Sequence, residues 1–220
     1  MKSLIIKILT LITISSTGST QSYIEPIVGS RFALNNKTYK FFQINIGAQY
    51  SVRKNRNYDI LLQSIISWPI AKSSTVQAYT TNPLLPVSVN IDKTIRPYTL
   101  SFALGHRLTL FGGEQNNYLA LLIYTGVVYE QILVSYAYDK QNYILLNPDK
   151  TQNRASIFAS GGFEYLHKLS KGRLFAHLVI ASPPFGGSIK YPSTFGFITA
   201  LSVNVGYAIP LTKIKTTQNN

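Results

Sequence analysis

From Thr38 to Arg53 the apolar residues Phe42, Ile44, Ile46, Ala48, Tyr50 and Val52 alternate with Gln43, Asn45, Gly47, Gln49, Ser51 and Arg53. A repeat of two sends successive side chains to opposite sides of an extended ribbon, so the segment predicts a strand with one greasy and one polar face. Tyr98–Leu110 repeats the pattern, with Tyr98, Leu100, Phe102, Leu104 and Leu108 on one side. Phe197–Ile209 is the cleanest case, with Phe197, Thr199, Leu201, Val203, Val205, Tyr207 and Ile209 set against Ile198, Ala200, Ser202, Asn204, Gly206 and Ala208. Weaker alternation in Ile24–Leu34, Tyr58–Ile70, Tyr118–Tyr138, Ser156–His167 and Arg173–Ala181 brings the expected strands to eight. No stretch after the N-terminus approaches the eighteen or so apolar residues of a spanning helix.

Turn-rich stretches separate these segments: Asn35–Lys37, Lys54–Asn57, Ala71–Ile95, Gly112–Asn117, Asp139–Asn153, Leu169–Gly172 and Pro183–Thr194. The second, fourth and sixth are short and the third, fifth and seventh are long; only the first departs from that order. An up-and-down barrel in an outer membrane has short turns at its inner end, long loops outside, and, for an even strand number, both termini inside. The expected fold is therefore an all-β, eight-stranded, antiparallel up-and-down transmembrane barrel.

The alternative, a soluble barrel or sandwich, would turn its polar face to water and carry Lys and Glu there. Here the faces opposite the apolar stripes hold Gly, Ala, Ser, Thr, Asn and Gln, which suit a narrow polar interior, while most basic residues fall in connections or at strand ends. Amphipathic rings favour the two membrane interfaces. On the outward parity Tyr50, Tyr58, Tyr165 and Tyr207 would form an inner girdle and Phe32, Phe42, Trp68, Tyr98 and Phe197 an outer one. Val28, Ile46, Leu62, Leu104, Leu178 and Leu201 lie between them. His106 is also outward by parity, unless a bulge near Gly105 shifts the register and turns Arg107 outward instead.

Composition narrows the class. The 220 residues are 45% hydrophobic and 12% aromatic with only 13% charged, which excludes a disordered chain. The absence of Cys excludes disulfides, thiolate metal sites and a cysteine nucleophile. Residues 1–20, with Lys2, the apolar run Leu4–Ile14 and the small residues Ser15–Thr20, read as a secretory signal too short to span a bilayer. Residues 21–211 then form the barrel and residues 212–220 a periplasmic tail. Removing Lys2 and Lys7 leaves 19 basic residues against eight acids, a net +11. Lys37, Lys40, Lys72, Lys93, Arg96, Lys140, Lys150, Arg154 and Lys190 are expected at the outer end, facing anionic lipopolysaccharide. Arg53, Lys54, Arg56, Lys168, Lys171, Arg173, Lys213 and Lys215 are expected at the inner end near phospholipid heads. No recognition helix or aromatic-basic platform accompanies this charge, so nucleic acid is not expected as a partner.

With these features the chain from Gln21 to Leu211 resembles the small outer-membrane β-barrel proteins of Bacteroidota-type bacteria, the porin-family or PorT-like barrels. The closing segment Ala200–Leu211 (ALSVNVGYAIPL) is similar to the final strand such proteins present to the barrel-assembly machinery, with Tyr207 nearest to a terminal aromatic signal. The resemblance implies the outer membrane as location and that machinery as a partner during insertion. It also admits a role as accessory subunit of a secretion or uptake assembly; fold alone does not settle function.

Inward parity collects Glu25, Arg31, Arg107, Glu130, Glu164 and His177, with Gln43, Asn45, Gln63 and Asn204 nearby. Eight strands leave room for little but side chains, so these groups predict a buried ion-pair network that plugs the lumen rather than a gate or proton path. Catalysis is not expected: His106 faces outward toward lipid, but Ser101 and Thr109 have the opposite parity and cannot join it. No second ligand stands at i+2 from any His, and Gly112-Gly113 and Gly186-Gly187 lack a following helix or P-loop Lys, so neither metal nor cofactor is expected. Pro83-Leu84-Leu85-Pro86-Val87 is expected to pack over the barrel mouth, or else to meet a protein partner through the loops. The expected role is structural, adhesive or accessory. A narrow solute pore and a lipid-modifying enzyme are the alternatives.

Overall fold

The computed structural model describes residues 21–33, 42–55, 57–112, 116–182 and 200–211. Residues 1–20, expected as a secretory signal, residues 212–220, expected as a periplasmic tail, and Phe197, Lys37, Lys40, Arg56, Lys190, Gly113 and Gly186-Gly187 lie outside the described residues, as does the Arg154 side chain. The described chain forms ten strands: β1 (Ser22–Ala33), β2 (Phe42–Asn55), β3 (Tyr58–Pro69), β4 (Lys72–Thr80), β5 (Ser88–Phe111), β6 (Asn117–Ala137), β7 (Tyr143–Ile144), β8 (Gln152–Leu169), β9 (Gly172–Ser182) and β10 (Ala200–Pro210).

Eight of these close into a ring. Each of β1, β2, β3, β5, β6, β8, β9 and β10 pairs antiparallel with the next, and β10 pairs back onto β1, with Ile24 opposite Ile209 and Phe32 opposite Leu201. The protein is thus an all-β, eight-stranded up-and-down barrel. Short connections join β2 to β3, β5 to β6 and β8 to β9 at the end where both β1 begins and β10 finishes; this is the turn end. At the turn after β5, Gly112 adopts φ of 80°, a left-handed conformation that a side chain would strain.

The stretch Ala71–Ile95 departs from its reading as a loop. Residues 72–80 form β4, which pairs with the upper part of β5 from Lys72↔Ile95 to Tyr79↔Ser88, and β7 adds a short pairing at Tyr79↔Ile144 within the stretch Asp139–Asn153. Pro and polar residues interrupt the alternation here, so the periodicity that marks a strand is absent although the backbone pairs. Strands β5, β6 and β8, with 24, 21 and 18 residues, exceed the 11 to 14 of β1, β2, β3, β9 and β10 and rise as a sheet beyond the ring at the loop end. Its tip is the β4–β5 turn. Leu84 is 90% exposed and Val87 78% exposed there, so the Pro83–Val87 patch does not pack over the mouth: the hairpin that carries it stands above the barrel and holds it away.

Polarity is inverted relative to a water-soluble barrel. Side chains at Val28, Ile46, Leu62, Leu104, Leu178 and Val205 cover the outside, while Glu25, Asn45, Gln49, Asp59, Arg107, Glu164 and His177 are buried inside. Phe32 and Phe42 meet with ring centroids 4.8 Å apart, and Trp68 meets Tyr98 edge-on at 5.1 Å, all on the outer face toward the loop end. Tyr50, Tyr58, Tyr165 and Tyr207 lie on the outer face toward the turn end. His106 is outward with no bulge at Gly105; the register shift falls later, between Thr109 and Phe111, so Arg107 stays inward. The Tyr58 hydroxyl is 2.6 Å from His106 Nδ1, which gives the half-buried imidazole a polar partner on an apolar wall.

Candidate functional site: the charged interior

Between the walls, the side chains stack in layers. Toward the turn end, Tyr23, Ile27, Tyr118, Ala120, Leu166, Phe175 and Ala208 form an apolar cluster. Beside it, with Glu25 between Tyr23 and Ile27 on β1, lies a layer of charge centred on Arg107, which is 1% exposed. Its Nη1 and Nη2 donate to Glu25 Oε1 (3.2 Å) and Oε2 (2.8 Å), Nη1 also to Asp59 Oδ2 (2.9 Å), and Nη2 also to Glu164 Oε2 (3.0 Å). Its Nε lies 2.8 Å from Glu164 Oε1. The planar fork of guanidinium is the one side chain able to engage three carboxylates at once with fixed geometry.

The carboxylates are themselves tied down. Glu25 accepts from Ser51 Oγ at 2.6 Å and from Gln49 Nε2 at 2.5 Å. Gln49 Oε1 accepts from the Tyr124 hydroxyl at 2.8 Å and from Gln63 Nε2 at 3.1 Å. Glu164 Oε2 lies 2.7 Å from His177 Nε2, and the imidazole stacks on Phe175 with centroids 4.5 Å apart. Asp59 has two further cations, Arg53 at 3.4 Å and Arg173 at 3.9 Å. Three carboxylates thus face Arg107, Arg173 and Arg53, so the layer is balanced before His177 is counted. That balance matters, because an unpaired buried charge is costly whereas a matched, hydrogen-bonded set is tolerated.

Of the six residues expected as one network, Glu25, Arg107, Glu164 and His177 meet here. Arg31 and Glu130 do not join them. They form a separate pair, 3.6 Å apart, nearer the loop end, because they sit several residues farther along their strands. Between the two levels, Leu61, Ala103, Leu122 and Tyr124 form a second apolar layer. Beyond it is a polar cavity of about 80 Å³ whose lining includes Arg31, Glu130, Asn45 and Asn204 with several serines. Asn45 Nδ2 donates to Asn204 Oδ1 at 2.9 Å over Gly29, with which both are paired, and Gln43 Nε2 donates to the Pro97 carbonyl at 2.7 Å.

Two basic residues are not where charge alone put them. Arg173, expected at the inner rim, is 4% exposed and inward; it lies 3.6 Å over the Tyr23 ring and donates to the Tyr118 hydroxyl at 2.5 Å. Its parity is that of Phe175 and His177, and parity outranks proximity to a turn. Lys93, expected to face lipopolysaccharide, is also inward and buried, paired with Asp149 of the loop before β8, because β5 keeps its alternation above the ring. Asp59, Gln49, Ser51, Tyr118 and Tyr124 were missed. Each shares its parity with an inward residue of the same strand, so the signal was present in the alternation.

No family model and no curated protein matches this sequence. Among solved structures, the fold resembles that of outer-membrane β-barrel proteins. Ail, the attachment invasion locus protein of Yersinia pestis, is 12% identical and similar over 88% of this chain and 100% of its own, with a TM-score of 0.48. Neisserial surface protein A is 8% identical over 87% of this chain and 97% of its own, at 0.48. The N-terminal β-barrel domain of Pseudomonas aeruginosa OprF is 12% identical over 88% and 98%, at 0.42.

Proposed function

We propose that the chain is an integral outer-membrane barrel whose lumen is sealed by its own side chains, and that it acts in a structural, adhesive or accessory role rather than in catalysis. The single observation that carries this is the inverted polarity: Ile46 stands 61% exposed on the wall while Arg107 and its carboxylates are sealed inside. In water that arrangement would expose the greasy face and bury charge, both unfavourable; in a bilayer the greasy face meets hydrocarbon. The turn end is then periplasmic, and the loop end, with the β4–β5 hairpin, is outside. The projecting sheet supports the adhesive or accessory reading, since it holds Leu84 and Val87 on a paired scaffold where a protein partner can reach them. Lys140 and Lys150 at that end suit lipopolysaccharide contact. The alternation and closing strand support a PorT-like barrel of Bacteroidota type, inserted by the barrel-assembly machinery.

Membrane fractionation combined with heat-modifiable gel migration tests the location: recovery in the outer-membrane fraction with a shift on boiling is the expected result, and a monodisperse soluble protein without detergent overturns it. The runner-up, a narrow pore, is favoured by the polar cavity below the loop end. It requires a continuous path, which the Arg107 layer and the two apolar layers interrupt. Steady openings of the wild-type protein in planar bilayers would favour the pore over the plug.

A further inference from the structure

Every strand of the ring contributes an inward residue to the polar chamber on the loop side of the lumen. Its floor is apolar, since Phe158 and Val179 both line it and pack on the layer of Leu61, Ala103, Leu122 and Tyr124. Its mouth is charged. Arg31 on β1 and Glu130 on β6 stand on opposite sides of the ring, with β2, β3 and β5 between them one way and β8, β9 and β10 the other, so their side chains cross the lumen to come within 3.6 Å. These side chains are 14% and 16% exposed, against 1% and 0% for Arg107 and Glu25, so among the described residues the chamber communicates with the loop end.

The polar groups here are unspent, in contrast to those around Arg107. At 3.6 Å Arg31 and Glu130 are farther apart than a hydrogen bond, and each is the other's ion-pair partner among the described residues. Asn45 is 1% exposed; its Nδ2 donates to Asn204, and its Oδ1 has no hydrogen bond among the described residues. Ser156, Ser160 and Ser202 line the chamber with hydroxyls that can donate or accept. Arg154 pairs with Glu130 across β6 and β8, and its side chain is outside the described residues. The space open to the centres of waters is about 80 Å³. One water takes roughly 10–15 Å³ of such space, so about six fit, or one solute of about six non-hydrogen atoms.

We infer that the chamber is a binding site for a small zwitterion, an α-amino acid about the size of alanine, with its carboxylate against Arg31 and its ammonium against Glu130. A ligand of one charge would draw off one member of the pair and leave the other facing the lumen alone, which is costly. A zwitterion instead gives each member an opposite charge and the charge-assisted hydrogen bonds that their separation denies them. Asn45 Oδ1 and the serine hydroxyls can accept the ammonium N–H groups that Glu130 does not, and the Phe158 and Val179 floor suits a methyl group. That floor closes the chamber toward the turn end, so the site is a blind pocket and not a stage of a pore.

The test follows the side-chain amide resonances of Asn45 and Asn204 in the isotope-labelled protein in detergent micelles. L-alanine is titrated beside propionate, which lacks the ammonium, ethylammonium, which lacks the carboxylate, and glycerol, a neutral solute of similar size. A saturable shift with L-alanine is expected, at an affinity about ten-fold or more above each of the other three. The double variant R31Q/E130Q should lower the alanine affinity about ten-fold or more, to that of glycerol. Ser156→Leu fills the chamber while keeping the pair and should abolish the shift; heat-modifiable migration reads whether each variant folds. No saturable shift on the wild type overturns the site, as does wild-type affinity for alanine in a folded R31Q/E130Q or Ser156→Leu. Propionate binding as well as alanine makes this an anion site, and glycerol binding as well makes it a polyol site; either overturns the zwitterion. The ligand series is read on the wild type, so it decides the matter even where a variant fails to fold.

Discussion

The ring of Tyr124 lies against the backbone of Gly105, its partner across the β5–β6 pairing, so that a Cβ on residue 105 would fall 2.3 Å from Tyr124 Cδ1. Glycine weakens a strand, but here the aromatic ring covers the gap, and lying flat lets the hydroxyl reach Gln49 on the far wall. The small residue on one strand therefore sets the aim of a phenol that braces the charged layer through Gln49 and Glu25.

Gly105→Ala should displace the ring, break the Tyr124–Gln49 bond and cost about 1–3 kcal/mol. Urea unfolding in lipid vesicles, followed by loss of heat-modifiable migration, measures it. Gly161→Ala, where the nearest atom to an added Cβ is 3.8 Å away, is the matched variant and should show little change.

Arg107→Met leaves Glu25, Asp59 and Glu164 facing one another without their shared cation. A loss of about 3–5 kcal/mol is expected from stranding buried charge. Adding Glu25→Gln to that variant should recover part of the loss, because one of the uncompensated carboxylates is gone. Equal stability of Arg107→Met and wild type in the same urea titration would show that the layer is neutral packing.

Depth should govern the cost of charge on the wall. Ile46→Arg lies midway between the girdle positions Phe42 and Tyr50 of β2 and should destabilise by about 2–4 kcal/mol, whereas Tyr50→Arg, in the girdle toward the turn end on the same face, should cost about 0–1 kcal/mol. Equilibrium folding into vesicles gives both values. Similar small costs at the two positions would mean that water, not hydrocarbon, surrounds the barrel.

At the loop end, Asp139 accepts hydrogen bonds from the Asn142 side-chain amide at 2.7 Å and from the Gln141 N–H at 2.9 Å, and these bonds hold its carboxyl below its ordinary pKa. A lowered folded value stabilises the ionised form, so the contribution is full above the ordinary carboxylate range and is lost as pH falls through the lowered value. The Gln141 and Asn142 amide resonances should hold steady from neutral pH to about pH 5 and move only in stronger acid, where Asp protonates. In Asp139→Ala they should be insensitive throughout.

The order of the barrel strands was legible because each ribbon repeats every two residues, and a single face assignment, such as Ile46 out and Asn45 in, propagates along it. The same parity held Arg107 inward past Gly105, and it would have placed Arg173 and Lys93 inside had it been allowed to overrule their nearness to turns and loops. β4 was not legible: Lys72–Thr80 pairs through its backbone with β5, and backbone hydrogen bonding leaves no trace in a sequence of mixed polar and small side chains.

Sequence alone therefore determined which side of the wall each residue occupies, since that depends on a local repeat. Which interior residues touch was decided only by the tertiary structure. The partners of Arg107 come from β1, β3 and β8, at separations of 82, 48 and 57 residues, and they meet because closure and the stagger of eight strands bring those positions to one height. Arg31 and Glu130 share the same parity and are excluded from that layer for the same reason, a difference in height along strands whose register no two-residue pattern encodes.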